Sequence, residues 1–146
     1  VVLDNSTTAM TGHQPHPGTG RTVMGEIVQK INIEQVLRGI GVTEIETINP
    51  LELEASVSCV KRMAEKSGVR AIIFKAPCIA VTKPKAPLHV DQDSCIGCKK
   101  CLRDLGCPAI VMNDGKICID ASMCTGCHLC SQVCPVCAIA GGDDHE

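Results

Sequence analysis

The first half of the chain alternates short apolar runs with stretches of helical periodicity. Three runs rich in β-branched residues predict buried strands, because such residues suit the middle of a parallel sheet. A polar, glycine-rich loop, residues 5–20, follows the first of them. Strands that alternate with helices are typical of an open α/β sheet, which is the fold class predicted for residues 1–82. The predicted strands are Val1–Asp4, Val42–Ile48 and Val69–Phe74.

Two helices are predicted between these strands. Asn32 is a good N-cap for a first helix, Ile33–Arg38, which glycines then terminate. Asn49 and Pro50 are typical N-cap and first-turn residues, so they predict the start of a second helix that ends at Gly68. Apolar residues at helical spacing predict the buried face of this second helix. They are Leu53, Val57, Val60 and Ala64.

A change in composition divides the chain. Thr82–Pro87 contains two prolines and two lysines, which predict a semi-rigid, solvated linker over residues 83–88. An ordinary surface loop is the alternative on composition alone. Because cysteines become dense directly afterwards, we favour a boundary between the α/β domain and a second domain, residues 89–146.

The second domain contains an internal repeat of a C-x-x-C-x-x-C motif. Each copy is followed by a Cys-Pro pair and then by Ala-Ile, as expected of two halves with one fold. Between the copies, Asn113–Gly115 predicts the turn of a β-hairpin with strands Ile110–Met112 and Lys116–Ile119. The triplets are Cys95, Cys98 and Cys101 in the first copy and Cys124, Cys127 and Cys130 in the second, and the Cys-Pro cysteines are Cys107 and Cys134.

This spacing predicts two [4Fe–4S] clusters in a small α+β domain of the bacterial ferredoxin type, which transfers single electrons. Three thiolates of one triplet can surround one cluster, and the small Gly97 and Gly126 let the backbone approach it. In two-cluster ferredoxins the fourth cysteine of each run binds the other cluster. The predicted ligand sets are Cys95, Cys98, Cys101 and Cys134 for one cluster, and Cys124, Cys127, Cys130 and Cys107 for the other.

Zinc is the main alternative interpretation of so many cysteines, since disulfides would need a secretory context. Structural zinc sites combine pairs of cysteines, with four ligands per ion, so each triplet would leave one cysteine over. The first copy does depart from the standard ferredoxin spacing, because five residues rather than three precede Cys107. The cysteines for which no ligand role is predicted are Cys59, Cys78, Cys118 and Cys137.

Composition and charge exclude other classes of function. The 14 basic and 16 acidic residues give a net charge of −2, and one Phe with no Tyr or Trp leaves little to stack on bases, so no nucleic-acid partner is expected. No apolar run approaches the roughly 18–20 residues of a membrane span. Because the chain starts like a buried strand, with neither Met nor a signal peptide, we expect a fragment of a longer, cytoplasmic protein.

The loop after the first strand resembles a cofactor signature. Val2–Gln14 reads Val-Leu-Asp-Asn-Ser-Thr-Thr-Ala-Met-Thr-Gly-His-Gln, which resembles the second half of the thiamine diphosphate signature of 2-oxoacid:ferredoxin oxidoreductases. The continuation to Gly20, Pro-His-Pro-Gly-Thr-Gly, is similar to the indolepyruvate:ferredoxin oxidoreductase α subunit. The order of the parts is also similar, since in that subunit a two-cluster ferredoxin domain directly follows the thiamine-binding domain.

The resemblance implies ligands for a Mg²⁺ ion that anchors the diphosphate. In the family, the Asn of this half supplies its side chain, and the residue two positions on supplies its carbonyl oxygen. Carried over, these are Asn5 and Thr7, whose oxygens suit Mg²⁺. The upstream Gly-Asp half of the signature is missing from this chain, which fits a C-terminal fragment. Without the resemblance, Asn5 would be interpreted as a loop residue that satisfies its own backbone.

The resemblance also implies an activity and its partners. The activity is thiamine diphosphate-dependent oxidative decarboxylation of indolepyruvate, or another aryl pyruvate, to an acyl-CoA, with electrons passing through both clusters to an external ferredoxin. Coenzyme A and a separate β subunit are the other expected partners. One alternative is the same enzyme class acting on another 2-oxoacid, such as pyruvate or a branched-chain acid. The other is a stand-alone two-cluster electron carrier, in which residues 1–82 are a scaffold.

Overall fold

The chain folds into two compact units. The computed structural model describes residues 1–141, so residues 142–146 of the predicted second domain lie outside the described part. The first unit is Val1–Lys83, and the second begins at Pro84. None of the helices among the described residues is both long enough and apolar enough to cross a membrane.

A three-stranded parallel sheet forms the centre of the first unit. Its strands and helices follow the predicted order, so the α/β fold class is confirmed. The middle strand pairs with both neighbours, through Val2 with Ile73 on one side and Ile48 with Phe74 on the other. The elements are strand β1 (Val2–Asp4), helix α1 (Ile33–Gly39), strand β2 (Glu44–Ile48), helix α2 (Leu53–Glu65) and strand β3 (Arg70–Lys75), and the sheet order is β1-β3-β2.

The start of α1 is as predicted, whereas that of α2 is not. The Asn32 side chain caps α1 by accepting a hydrogen bond from the Gln35 N–H at 3.2 Å. The Asn49 side chain instead accepts from the Leu51 N–H at 3.1 Å and closes a separate turn. Because this turn comes before the helical hydrogen bonds, α2 begins only at Leu53, and the prediction of Asn49 as its N-cap is wrong.

The predicted buried face of α2 is also wrong. Val57 and Val60 are 45% and 44% exposed, and the stripe one residue earlier, Ser56, Cys59 and Met63, is buried instead. The hydrophobic pattern did not predict this stripe, because one of its members is a polar serine. The Ser56 hydroxyl can be buried because it donates a hydrogen bond to a carbonyl of the preceding turn at 3.1 Å. The core consists of Cys59, Met63 and Ile72, with Ile48 and Phe74 packed against them.

The second unit is built from two antiparallel strand pairs and two short helices, an α+β arrangement that agrees with the predicted fold class. Its hairpin turns at Asp114 and Gly115, as predicted. The elements are strand β4 (Leu88–Val90), helix α3 (Lys100–Leu105), strands β5 (Ile110–Asn113) and β6 (Lys116–Ile119), helix α4 (Leu129–Val133) and strand β7 (Ile139–Gly141). Strand β4 pairs with β7, and β5 pairs with β6.

The second unit begins with an entry segment, residues 84–88, which the sequence placed in a solvated linker. The Lys85 N–H donates to the Thr125 carbonyl at 3.2 Å, and Leu88 is only 3% exposed where it opens β4. The entry segment therefore packs on the second cysteine repeat.

Candidate iron–sulfur centres and cofactor loop

Four cysteines of the second unit line a cavity of about 110 Å³. Cys124 and Cys127 lie on the loop before α4, Cys130 lies within α4, and Cys107 follows α3 from the other repeat. The rest of the wall is mainly apolar. We call this set of four centre II.

A second cavity, of about 20 Å³, is lined by the remaining members of the two motifs. Cys95 and Cys98 lie on the loop before α3, Cys101 lies within α3, and Cys134 follows α4. We call this set centre I. The structure thus brings together each set of four that the ferredoxin spacing predicts, including the exchange of the fourth cysteine. Their role as iron ligands stays a prediction.

Left-handed residues give the two triplet loops the same shape. Gly97 and Gly126 have φ of +66° and +67°, and each loop ends on a left-handed Lys99 or His128. A side chain at Gly126 would also lie 2.6 Å from the Ala86 carbonyl oxygen. Glycine therefore suits this position for two reasons: it adopts the left-handed conformation, and it leaves room for the entry segment. The sequence did not predict the second reason.

Backbone N–H groups point at sulfur in both centres. The Leu88 N–H donates to Cys124 Sγ at 3.5 Å, and the Ala138 N–H donates to Cys134 Sγ at 3.3 Å. Such bonds stabilise negative charge on sulfur, which thiolate ligands of an iron–sulfur cluster carry. The donor set and its surroundings therefore fit the predicted group.

The helical cysteine of each triplet is buried among other thiols. Burial, together with the other three sulfurs of centre II, raises the pKa of the Cys130 thiol to about 11, although a backbone hydrogen bond opposes the shift. Burial likewise raises the pKa of Cys101, where two sulfurs of centre I add to the effect and backbone hydrogen bonds oppose it. A thiolate in such a place needs a positive partner, which bound iron supplies.

The arrangement of the sulfurs differs from that of a zinc site. A structural zinc ion holds its four ligand atoms at about 2.0–2.3 Å from one point. Among residues 1–141, no three His, Cys, Asp or Glu side chains converge closely enough to hold one metal ion. The cysteines of centre II instead surround a cavity of about 110 Å³, which favours a polynuclear cluster.

The two extra residues before Cys107 lie in a longer helix α3 and in the glycine that follows it. Helix α3 has six residues and is capped by Gly106, with a left-handed φ of +55°, whereas α4 has five residues and leads directly into Cys134. The chain then turns in the same way in both halves. The Ile110 N–H donates to the Cys107 carbonyl at 3.1 Å, and the Cys137 N–H donates to the Cys134 carbonyl at 3.3 Å.

The four other cysteines lie outside both centres. Cys59 lies on the buried face of α2, where its thiol donates to Glu46 at 3.4 Å and burial raises its pKa. Cys118 lies on β6 and Cys137 is exposed, and neither is in the wall of either cavity. Cys78 follows β3, and its N–H donates to the Asn5 carbonyl at 2.9 Å, which ties the loop after β1, residues 5–20, to the end of the sheet.

Asn5 and Thr7 lie at the carboxyl end of β1. The Asn5 side chain accepts from the Thr7 N–H at 3.3 Å, as a loop residue that satisfies its own backbone does. Thr7 is 6% exposed, and its hydroxyl donates to the Gln14 carbonyl at 3.4 Å. The Thr8 N–H donates to the same carbonyl at 3.0 Å and closes the loop. These hydrogen bonds close the loop, and the Mg²⁺ roles of Asn5 and Thr7 stay predictions.

A cavity of about 530 Å³ lies at the same end of the sheet. Asp4 at the end of β1 and Ser6 in the loop that follows contribute to its wall, and Lys30 and Lys75 contribute positive charge. Asp4 and Lys75 are 3.8 Å apart and pair across adjacent strands. Open α/β sheets bind ligands at the carboxyl ends of their strands, so the position of Lys75 directly after the predicted strand Val69–Phe74 was a signal in the sequence for this cavity.

Comparison with known proteins gives two matches to family models. Residues 1–74 match the thiamine pyrophosphate enzyme, C-terminal TPP binding domain. Residues 87–135 match the 4Fe-4S dicluster domain, and this stretch contains all eight cysteines of the two centres. These matches support thiamine diphosphate and iron–sulfur clusters as cofactors.

Curated relatives match almost the whole chain. The indolepyruvate oxidoreductase subunit IorA of Methanothermobacter thermautotrophicus is 44% identical over 141 residues, which is 95% of this chain and 23% of that protein. The same subunit of Archaeoglobus fulgidus is 38% identical over 145 residues, with the same coverage of 95% and 23%. The chain belongs to the family of these IorA subunits.

The relatives are much longer than this chain. The Thermococcus kodakarensis subunit is 40% identical over 146 residues, covering 92% of this chain and 22% of that protein. This chain thus spans about a quarter of the length of the IorA relatives it matches. No solved structure matches the chain.

Proposed function

We propose that this chain is part of a thiamine diphosphate-dependent indolepyruvate:ferredoxin oxidoreductase. The observation that carries the proposal is the formation of two four-cysteine centres on the same chain as a loop of the thiamine diphosphate type. The reaction is oxidative decarboxylation of an aryl pyruvate to an acyl-CoA. It releases two electrons, and two one-electron centres take them one at a time.

The residues have separate roles in this proposal. Bound thiamine diphosphate supplies the chemistry that breaks the bond between the keto carbon and the carboxylate. The Asn5 side chain and the Thr7 carbonyl bind the Mg²⁺ that holds the diphosphate, and the loop closed by Thr8 and Gln14 keeps both in place. The eight cysteines of centres I and II hold the two [4Fe–4S] clusters.

The proposed partners follow from the same activity. They are a β subunit, an external ferredoxin, coenzyme A and the 2-oxoacid, and we propose a cytoplasmic setting. The match of residues 1–74 to a thiamine pyrophosphate enzyme domain favours an enzyme over a stand-alone electron carrier. The names of the relatives favour indolepyruvate over pyruvate or another 2-oxoacid.

The test uses the full-length polypeptide with its partner subunit, prepared without oxygen. We expect about eight iron and eight sulfide ions per chain, as two [4Fe–4S] clusters require. Indolepyruvate with coenzyme A should bleach the cluster absorbance, and omission of thiamine diphosphate or Mg²⁺ should prevent this. Asn5→Ala should weaken Mg²⁺-dependent bleaching at least tenfold, as loss of a metal ligand does.

The matched control is Asn49→Ala, which removes an exposed amide that closes the turn before α2 and does not line the cavity at the end of the sheet. It should leave bleaching within about twofold of the wild type, since an exposed turn residue affects local stability alone. Bleaching by dithionite but by no 2-oxoacid would favour the stand-alone carrier. Faster bleaching by pyruvate than by indolepyruvate would change the substrate and keep the enzyme class.

A further inference from the structure

In each centre a backbone N–H donates to a cysteine sulfur, but the two donors differ in origin. At centre I the donor is Ala138, four residues after its acceptor Cys134, so the bond belongs to the turn that carries the ligand. At centre II the donor is Leu88, the last residue of the entry segment, which lies 36 residues before its acceptor Cys124. The hydrogen bond at centre II therefore depends on how the entry segment is held, whereas the bond at centre I is local.

The ladder between β4 and β7 leaves the Leu88 N–H free for this bond. Leu88 lies opposite Gly141, and in an antiparallel pair only every second residue exchanges hydrogen bonds with the residue opposite. The Asp91 N–H donates to the Ala138 carbonyl at 2.8 Å, so the bonded positions of this strand are Asp91 and His89. Leu88 is at a non-bonded position, and its N–H faces away from β7 towards Cys124.

Two left-handed glycines from different elements make room for the backbone of the entry segment. A Cβ at Gly126, where φ is +67°, would lie 2.6 Å from the Ala86 carbonyl oxygen. A Cβ at Gly141, where φ is +105°, would lie 3.2 Å from the Pro87 carbonyl oxygen. In the described part of the chain, no atom of another segment lies within 4 Å of the same position at Gly97, the counterpart of Gly126 in the first repeat. The fit of the entry segment is thus particular to the second repeat.

Leu88 also belongs to the wall of the centre II cavity. Its side chain is 3% exposed and lines the cavity together with Cys124. Met123, which is 52% exposed, lines the same cavity, so the entry segment does not seal this centre from water. What the entry segment adds is a hydrogen-bond donor, whose partial positive charge favours the more negative, reduced state of a cluster bound through Cys124.

We propose that the entry segment is a redox-linked strap, in which the Leu88 N–H is a positioning group that raises the reduction potential of centre II. This inference rests on the cluster assignment in the proposed function. When centre II takes up one electron, part of the added negative charge falls on the Cys124 sulfur and strengthens its hydrogen bond from Leu88. No proton moves, and no covalent bond forms or breaks.

The same hydrogen bond makes the entry segment respond to the electron at centre II. Because linkage between two equilibria is reciprocal, docking of the entry segment favours reduction by the same factor by which reduction favours docking. The entry segment begins directly after Lys83, where the first unit ends. The chain that leaves the first unit is therefore held more firmly when centre II is reduced than when it is oxidised.

The first test measures the reduction potential of centre II in the full-length polypeptide with its partner subunit. EPR-monitored titration is carried out in a Cys134→Ala background, where only centre II is expected to remain. Leu88→Pro removes the N–H at the first residue of a strand, a position that tolerates proline. The equilibrium constant for one-electron reduction should fall about tenfold, which corresponds to about 59 mV. The matched control, Leu88→Val, keeps the N–H and should stay within about twofold of the Cys134→Ala parent.

The same substitution is then measured at the other centre. In a Cys107→Ala background, where only centre I is expected to remain, Leu88→Pro should leave the potential unchanged, because the donor at centre I is Ala138. An unchanged potential of centre II would overturn the strap. Equal shifts in Leu88→Pro and Leu88→Val, or at both centres, would also overturn it, since a side-chain or general structural effect would then be the cause.

A second test needs no substitution at Leu88. Hydrogen exchange of the entry-segment amides, followed by mass spectrometry, should be about tenfold slower in the dithionite-reduced protein than in the oxidised protein. The difference should disappear in Cys107→Ala, which is expected to lack the cluster of centre II. Equal exchange in both redox states of the wild type would overturn the strap. Neither test uses a 2-oxoacid, so that result in a protein with full iron content would leave the proposed enzyme activity standing.

Discussion

The two cysteine repeats of the second unit have nearly the same motif and different surroundings. Centre I lies behind an exposed loop with Lys99 and Arg103 beside it, whereas the loop of centre II is covered by the entry segment and receives an N–H from Leu88. The motif thus specifies which group is bound, and the environment decides how the group can be used. Solvent exposure, nearby charge and hydrogen bonds to sulfur are the properties that set cluster potentials.

The exchange of the fourth cysteine couples the two repeats. Cys107 reaches centre II from the first repeat, and Cys134 reaches centre I from the second. With the predicted ligand sets, neither repeat would hold a complete cluster by itself. The comparison between the repeats can be tested by changes that should affect one centre and spare the other.

The largest effect is expected from Cys107→Ala. Loss of this thiolate should remove the cluster of centre II, so that iron and sulfide fall from about eight to about four per chain. Cys134→Ala should do the same to centre I. The EPR spectrum of each reduced variant should lose the interaction between two clusters. Full iron content in Cys107→Ala would show that this irregularly spaced cysteine is not a ligand.

The next effect concerns the glycines of the two triplet loops. Gly97→Ala and Gly126→Ala both place a side chain at a left-handed position, which costs about 1–2 kcal/mol. Gly126→Ala has the further problem that its Cβ would lie 2.6 Å from a backbone oxygen of the entry segment. We expect the loaded protein to lose its cluster absorbance at a lower temperature in Gly126→Ala than in Gly97→Ala. Equal midpoints would argue against the packing of the entry segment.

A smaller effect is expected from Arg103→Gln. The guanidinium lies on the Cys98 carbonyl, and its positive charge favours the more negative, reduced state of centre I. Its removal should lower the reduction potential of centre I. An EPR-monitored redox titration in the Cys107→Ala background, where only centre I is expected to remain, measures this directly. Lys116→Gln is the control. An equal shift of the reduction potential in both variants would show that only the overall charge of the protein matters.

The smallest effect is expected from the two cysteines near the centres that line neither cavity. Cys118→Ser and Cys137→Ser should both keep about eight iron ions per chain and an unchanged EPR spectrum. Cys118 has its Sγ 4.0 Å from the Lys116 carbonyl, and Cys137 is exposed. A loss of iron in either variant would show that the ligands of centres I and II are assigned incorrectly.

Much of the local structure was predictable because it depends on neighbouring residues. The Asn32 cap and the hairpin turn at Asp114 and Gly115 arise from backbone geometry that a few residues specify. The face of α2 was not predictable, because an apolar residue is buried only where another element covers it. Ser56 enters the core through one hydrogen bond to a turn that lies seven positions earlier, a contact that helical periodicity does not reveal.

The sequence alone determined the class of chemistry, because cysteine spacing limits which metal group can be bound and the Val2–Gln14 motif carries a family resemblance. Cysteine spacing also predicted the two sets of four that share a cavity, whereas only the tertiary structure decided which triplet loop the entry segment covers. It also placed Lys30 and Lys75 in the wall of one cavity at the end of the sheet. These properties come from segments far apart in the chain, since burial and charge at a site depend on everything that packs around it.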